Sequence, residues 1–277
     1  MKINSVIARE DNGNIQLTFT IPNELVKLTK SEVVSEMAKD IQIPGFRKGN
    51  APVSKVEERI DRNKLVEHIL SHILPKAFSE SVTEYKFTPA LYPKFDAVKI
   101  EDDSDWEIRA VTCELPEVKL EDYKKKVAGE LRASKIVVQG KEEQKITDDQ
   151  VIDALLKSIS VEIPKLLIEE EVNGRLSQLL SRIEKLGLTL EGYLASIKES
   201  VDTLRQKYET QAKEAITIEL TLNKIALEEK LDVSDSEVND FIKSTGSDPA
   251  KVDKNQIDTL KRVVMRRKAL EKVASLV

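Results

Sequence analysis

The sequence is poor in the residues that mark several classes of protein. It has one cysteine, Cys113, so it forms no intramolecular disulfide, which fits a reducing compartment. Aromatic residues make up 4% of the chain, with 9 glycines and 9 prolines. No apolar run approaches the roughly 20 residues that cross a bilayer, and the first ten residues lack the apolar stretch of a signal peptide. We expect a cytoplasmic protein without membrane contact, and neither a collagen-like nor a disulfide-stabilised one.

Charge is abundant instead. Charged residues make up 34% of the 277 residues, against roughly 25% in an ordinary globular domain. The 44 Lys and Arg are outnumbered by 49 Asp and Glu, giving a formal net charge of -5. A protein that holds nucleic acid along a broad face is normally basic, so any such contact must be local. Many charges with few glycines and prolines indicate long, solvated helices.

The first third of the sequence predicts an α+β domain. Ile15, Leu17, Phe19 and Ile21 alternate with polar residues, the period of a half-buried strand. Apolar residues at helical spacing predict helices at about 23–40 and 63–85, with Pro75 expected to kink or restart the second. The spacing predicts further strands near residues 3–8, 94–100 and 106–114. Their short links favour antiparallel neighbours.

The remainder predicts helices only. Residues 116–146 are rich in Lys and Glu and indicate a linker with one or two short elements. Helices are expected from Thr147 to about 159 and from Pro164 to Gly187. A long helix of about 40 residues from Thr189 to Lys230 would reach roughly 60 Å. Shorter helices are expected at 234–241, where a capping box opens the helix, and at 254–276. The fold class is thus a 1–115 α+β domain (small antiparallel sheet with long helices), a 116–146 linker and an elongated, all-α C-terminal domain over 147–277.

One loop between helices combines an aromatic residue with cations. Two glycines and two prolines interrupt the helical pattern over 43–52. Phe46, Arg47 and Lys48 lie at its centre, and between Ile41 and Val56 there is no carboxylate. Arg pairs bidentately with phosphate or carboxylate, and Phe supplies apolar area to a partner. Alternatively, Phe46 folds back into the core of its own domain.

The loop residues resemble the ribosome-docking signature of the trigger factor family, G-F-R-x-G-K-x-P. The matching residues are Gly45, Phe46, Arg47, Lys48 and Gly49, while Asn50 stands where the family usually has Lys. The resemblance implies an ATP-independent chaperone, without a cofactor, that docks at the ribosomal tunnel exit. Its implied partners are a ribosomal protein there, neighbouring ribosomal RNA and nascent polypeptides. It implies a ribosome-binding domain at 1–115 and a helical chaperone domain at 147–277, and it does not identify the client-binding residues.

The chain departs from that family in its middle. Trigger factors usually carry a prolyl isomerase domain of the FK-binding type between the two parts. Here about 40 residues separate Pro116 from Ile159, with Tyr123 as the one aromatic residue, too few for such a domain. We therefore expect no enzyme activity. A residual prolyl isomerase and a ribosome-independent holdase remain alternatives, and so does a homodimer.

Other candidate sites are weaker. His68 and His72 share a helix face but lack a third metal ligand, and Cys113 lacks a nearby base. The acidic run at 102–105 lacks the ligand spacing of a calcium loop. We therefore expect neither a metal site nor catalytic residues. A basic patch in the last helix is expected to pair with nearby glutamates rather than with nucleic acid; its residues are Arg262, Arg266, Arg267 and Lys268.

Overall fold

The computed structural model describes residues 2–10, 13–39, 46, 55, 57, 59–134, 146–249 and 252–277. These residues form two compact units. The first comprises Met1–Leu115 with Pro164–Leu167, and the second comprises Pro116–Ile163 with Ile168–Val277. The fold class expected from the sequence is confirmed, because the first unit contains a small antiparallel sheet with two long helices and the described part of the second is helical.

A four-stranded antiparallel sheet forms the first unit's framework. Strands β1 (Asn4–Arg9), β2 (Asn14–Ile21), β3 (Lys94–Lys99) and β4 (Trp106–Cys113) lie in the order β1-β2-β4-β3. In the register of the central pair, Leu17 lies opposite Ala110 and Phe19 opposite Ile108. All four of these side chains are fully buried. The alternation seen in the sequence therefore places one apolar face of the sheet against the helices.

Two helices cover that face. Helix α1 spans Asn23–Ala38 and helix α2 spans Arg62–Tyr85. The α2 cap is Asp61, whose carboxylate accepts hydrogen bonds from two backbone N–H groups of the first turn. The helix runs without interruption through Pro75, where a kink or restart was expected. The main contacts of the helix pair come from buried apolar residues: Val33, Val34, Leu65, Ile69, Ile73 and Leu74.

Both edges of the sheet are protected. On β1, the carbonyl oxygen of Ser5 accepts a hydrogen bond from the Tyr85 hydroxyl, and Arg9 donates to the Tyr85 carbonyl oxygen at 3.1 Å. On β3, the register shifts between Ala97 and Lys99. A bulge with flanking charges is a common means of preventing an edge strand from pairing with another chain.

The remaining helices follow one another from residue 123 to residue 274. They are α3 (Tyr123–Ser134), α4 (Asp148–Ser158), α5 (Lys165–Lys185), α6 (Leu190–Ile197), α7 (Val201–Glu228), α8 (Asp235–Ser244) and α9 (Lys254–Ala274). Capping boxes open α4, α8 and α9. The predicted capping box at Ser234 is confirmed, and Thr147, which was predicted as a helix cap, also forms a capping box. At the end of α5, Gly187 adopts a φ of +69°, the conformation expected of a glycine that ends a helix.

The sequence predicted a weakly patterned linker over 116–146, but the described part of that stretch contains helix α3, which has a buried apolar face. In α3, Tyr123, Val127 and Leu131 recur every four residues and are buried. They join one core with Leu155, Ile225 and residues of α9. Because most of the exposed residues of α3 are Lys, Glu or Arg, the charged composition of this stretch concealed its single buried stripe. Residues 135–145 lie outside the described residues.

The prediction of one long helix over 189–230 is wrong, because the structure contains two helices there, α6 and α7. The chain leaves helical geometry at Lys198, whose φ is 55°, and restarts at Ser200. The Ser200 hydroxyl accepts a hydrogen bond from the Thr203 N–H at 3.1 Å, so it caps α7. Helix α7 is therefore 28 residues long, or about 42 Å. A serine cap produces the break without any glycine or proline.

Helix α8 packs on α9 through a small apolar cluster, and two ion pairs also join the two helices. Lys261 contacts Asp235 at 2.7 Å, and Lys268 contacts Glu237 at 2.5 Å. The local apolar cluster has only four buried residues, which are Val233, Val238, Ile242 and Val264. The pKa of Glu237 is lowered to about 2 because it accepts hydrogen bonds from Lys268 and then from the backbone and hydroxyl of Ser234.

We predict that Ser200→Ala destabilises the second unit by about 1 kcal/mol, because the cap of α7 is lost. Amide exchange at Thr203 should accelerate, and Ser200→Asp, which keeps a capping oxygen, should restore both values. Urea denaturation and hydrogen exchange measure these effects. A stabilising Ser200→Ala would instead indicate one continuous helix, in which Ala is the better residue.

We predict that the stability contributed by Glu237 is present above its ordinary pKa of 4.5 and is lost as the pH falls from there toward 2. Lys268→Met should move the pKa of Glu237 back toward 4.5. Lys243→Met, which removes a more distant contact of 3.9 Å to Asp240, should leave it unchanged. Carboxyl NMR titration measures both, and titration of Glu237 near 4.5 in the unmodified protein would contradict the prediction.

Candidate functional site

Phe46 is the one residue of the predicted docking loop that the structure describes. Its side chain is 40% exposed, at a bend in the chain between α1 and α2. The structure therefore contradicts the alternative in which the Phe46 ring is buried in the core of its own domain. Gly45, Arg47, Lys48 and Gly49 lie outside the described residues, so the grouping of the five remains a prediction.

The helices on either side of this loop in the sequence are packed in the first unit. Ala38, at the end of α1, is buried in the first unit's core, and so is Leu65 in the first turn of α2. Lys30 of α1 forms an ion pair with Glu57, and His72 of α2 lies 3.4 Å from Glu36. The described residues that precede and follow the loop in the sequence therefore belong to packed elements.

Several exposed aliphatic side chains lie along residues 180–201, from the last turns of α5 through α6 to the start of α7. The exposed fraction reaches 74% at Leu186, 50% at Leu188 and 55% at Val201. We name this region the aliphatic bend; its residues are Leu180, Leu186, Leu188, Ile197 and Val201. Sequence reasoning missed it, because a continuous helix through residue 198 would have distributed these side chains over a longer surface. The signal that could have found it is Ser200 followed by Asp202 and Thr203, a composition typical of a helix start.

A second apolar surface lies between α8 and α9. The two helices border a groove of about 450 Å³. Its lining residues are Phe241, Ile242, Thr245, Ser247, Val252, Asp253, Gln256, Thr259 and Leu260. Apolar concavities of this size accept side chains or small ligands. The sequence did not indicate this groove. Phe241 and Leu260 belong to different helices, so their proximity depends on how the two helices pack.

The residues considered for metal binding have other contacts. Within the described ranges, no group of three His, Cys, Asp or Glu side chains is arranged to hold a metal ion. Asp102 contacts Arg62 at 3.2 Å, Asp103 contacts Lys27 at 2.7 Å, and the Asp105 carboxylate accepts from the N–H of Asn23. The hydrogen bond from Lys27 lowers the pKa of Asp103. This acidic run therefore anchors α1 and α2.

Two buried groups have raised pKa values. Burial raises the pKa of the Cys113 thiol to about 11, so little thiolate exists at neutral pH. Burial, followed by the charge of Glu229, raises the pKa of Tyr123 to about 12. The Tyr123 hydroxyl donates to Glu229, which also contacts Lys124 at 2.6 Å. Tyr123 and Lys124 therefore tie α3 to the residue that follows α7.

The basic patch of α9 pairs with glutamates, as expected. Arg266 contacts Glu219, Arg267 contacts Glu271 and Lys268 contacts Glu237. The fourth member, Arg262, donates to the Thr259 hydroxyl at 3.4 Å. Three of the four basic side chains therefore have a carboxylate partner within the helical unit.

Among the described helices, none is both long enough and apolar enough to cross a bilayer.

Two family models match the chain. “Bacterial trigger factor protein (TF)” matches residues 3–159, and “Bacterial trigger factor protein (TF) C-terminus” matches residues 119–275. Each match covers more than half of the 277 residues. The two matches overlap on residues 119–159, so they leave no interval between them.

Curated relatives match over part of their length. The chain is 33% identical over 163 residues to “Trigger factor” of Streptococcus suis (strain 05ZYH33), covering 59% of this chain and 35% of that protein. “Trigger factor” of Streptococcus uberis (strain ATCC BAA-854 / 0140J) is 33% identical over 155 residues, covering 56% and 34%. The matched part thus spans about a third of each relative's length.

A solved structure has the same fold. It was reported under the heading “Promiscuous Substrate Recognition in Folding and Assembly Activities of the Trigger Factor Chaperone”. The TM-score is 0.65, with 14% sequence identity and coverage of 99% of each chain. At this identity the likeness concerns the fold alone, and it extends over both units.

Proposed function

The chain belongs to the bacterial trigger factor family, and on that premise we propose that it is an ATP-independent chaperone of the cytoplasm that docks at the ribosomal tunnel exit and shields nascent chains. The observation that carries the docking is the exposed Phe46 ring at the loop between α1 and α2. In the sequence, Arg47 and Lys48 follow it directly. The first unit is the ribosome-binding part in this proposal, and the second is the chaperone part.

The chemistry of the loop suits a ribosomal surface. A ring with 40% of its area exposed provides apolar contact that a ribosomal protein can bury. Arg47 and Lys48 provide charge for carboxylates and for the phosphates of neighbouring ribosomal RNA. Binding to phosphate releases counterions, so docking weakens as salt rises. Asn50, in place of the usual Lys, removes one charge from this contact.

The second unit supplies the surfaces for clients. The aliphatic bend exposes Leu and Val side chains that water hydrates poorly, and an emerging chain with unburied apolar residues gains by covering them. Such contacts are individually weak and lack directional hydrogen bonds, so they suit many sequences. Release follows when the client buries the same side chains in its own core. This cycle needs no nucleotide.

We also propose that the chain has no prolyl isomerase activity. Support comes from the two family matches, which overlap instead of flanking a further domain. The described residues between 116 and 163 form α3 and α4, whose buried side chains complete a helical core. Such a core offers no separate apolar cleft for a prolyl ring.

We predict that Ala replacement of Phe46, Arg47 and Lys48 together weakens co-sedimentation with ribosomes roughly 30-fold or more, the effect of losing about 2 kcal/mol at a binding hot spot. The matched control replaces Tyr92, Lys94 and Lys99, again one aromatic and two cations; Tyr92 is 76% exposed. Pelleting across a salt series measures both. Equal affinity of the two triple variants would refute docking through the loop, and client protection without ribosome affinity would favour a ribosome-independent holdase.

We predict that the protein does not accelerate proline-limited refolding of a model substrate. Uncatalysed X-Pro exchange takes tens to hundreds of seconds, so catalysis is readily detected. The assay should be run with the purified chain and with a known isomerase as a positive control. A rate that rises with protein concentration and falls with an inhibitor of FK-binding isomerases would overturn this part of the proposal.

A further inference from the structure

Met265 of α9 lies where two apolar clusters of the second unit meet. It is one of three methionines in the chain, and its side chain is partly buried. It packs against the cluster that joins α3, α4, α7 and α9, and also against the small cluster between α8 and α9. Of the apolar residues that the structure describes, Met265 alone belongs to both clusters. It therefore links the attachment of α8 to the main core of the second unit.

The two ion pairs between α8 and α9 flank this methionine. Lys261 pairs with Asp235, and Lys268 pairs with Glu237. Positions 261, 265 and 268 are four and three residues apart, so they share one face of α9. Met265 thus provides apolar contact between two charged contacts on the face of α9 that holds α8.

The attachment of α8 is small enough to open locally. Its apolar cluster contains four buried residues, which are Val233, Val238, Ile242 and Val264. A segment held by few buried apolar contacts opens at a lower free-energy cost than the core of its domain. Each opening uncovers the Met265 side chain, which is partly accessible even in the closed form. A reagent little larger than water can therefore reach its sulfur.

We propose that Met265 is a site of reversible oxidation, and that its sulfoxide weakens the attachment of α8 to α9. The reactant is a two-electron oxidant of the peroxide class. The sulfur forms a bond to one peroxide oxygen as the O–O bond breaks, and the proton of that oxygen passes to the departing hydroxide, which leaves as water. The sulfur is oxidised and the peroxide is reduced. This inference goes beyond the proposed function and does not depend on it.

The chemistry of the product explains the expected loosening. Oxidation converts an apolar thioether into a polar sulfoxide, and methionine sulfoxide reductases reverse the change. A polar oxygen placed in an apolar contact without a hydrogen-bond partner costs free energy. The open form of α8, in which water reaches the sulfoxide, is therefore favoured. Opening also uncovers the buried side chains of the small cluster.

The test measures amide hydrogen exchange on the full chain before and after treatment with hydrogen peroxide. Mass spectrometry of peptides gives the extent of oxidation at each methionine. We expect oxidation of Met265 to accelerate amide exchange in α8 roughly tenfold, as for an unpaired polar group in a half-buried apolar contact. Treatment with both methionine sulfoxide reductases, one for each epimer, should restore the slow exchange.

Matched variants separate Met265 from general oxidation. Met37, which is also partly buried, packs against the core of the first unit and serves as the control position. Met265→Leu keeps a side chain of similar size that peroxide does not oxidise, so exchange in α8 should stay slow after treatment. Met37→Leu should leave the response of α8 to peroxide unchanged. Met265→Gln, which places a polar group there permanently, should accelerate exchange in α8 without peroxide, whereas Met37→Gln should not.

Three results would overturn the proposal. In the first, Met265 stays reduced at peroxide concentrations that oxidise Met37 completely. In the second, Met265 is oxidised but exchange in α8 does not change. In the third, peroxide accelerates exchange in α8 equally in the unmodified protein and in Met265→Leu, which would place the sensitive group elsewhere.

Discussion

Burial of one face of the four-stranded sheet beneath α1 and α2 is the contact on which the first unit depends. Leu17, Phe19, Ile108 and Ala110 form the floor, and the helix pair covers them. The same packing holds α1 and α2, the helices that precede and follow Phe46 in the sequence.

The second unit divides its apolar residues among separate clusters. The largest joins α3, α4, α7 and α9, while α8 rests on four buried residues and two ion pairs. A third cluster, around Val172 and Ala212, is similarly small. Where the local core is small, charge contributes more of the attachment, and such attachments respond to salt and pH more than a large core does. A helical unit of this kind leaves apolar side chains at its surface without losing its fold.

Much of the fold could be predicted from local patterns, and the exceptions have physical causes. The alternation from Ile15 to Ile21 and the capping residues Thr147 and Ser234 indicated elements that the structure contains. The break at Ser200 was missed because the helical spacing of apolar residues continues across it, and serine is a weaker signal than glycine or proline. Of the candidate site, the exposure of Phe46 was one of two alternatives that its charged, carboxylate-free surroundings left open. The groove was not predicted, since it depends on how two distant segments approach each other.

Under the proposed chaperone function, the protected edges of the sheet matter because the protein would contact unfolded chains. Extended backbones tend to add themselves to any open strand, and once added they seed further growth of fibrils. Here the Ser5 carbonyl oxygen on β1 accepts a hydrogen bond from the Tyr85 hydroxyl, and the register of β3 against β4 shifts after Ala97. An unfolded polypeptide is thus prevented from pairing its backbone with these strands. It binds through side-chain contacts instead, which form and dissociate quickly. A chaperone with such edges can bind aggregation-prone polypeptides without nucleating their fibrils.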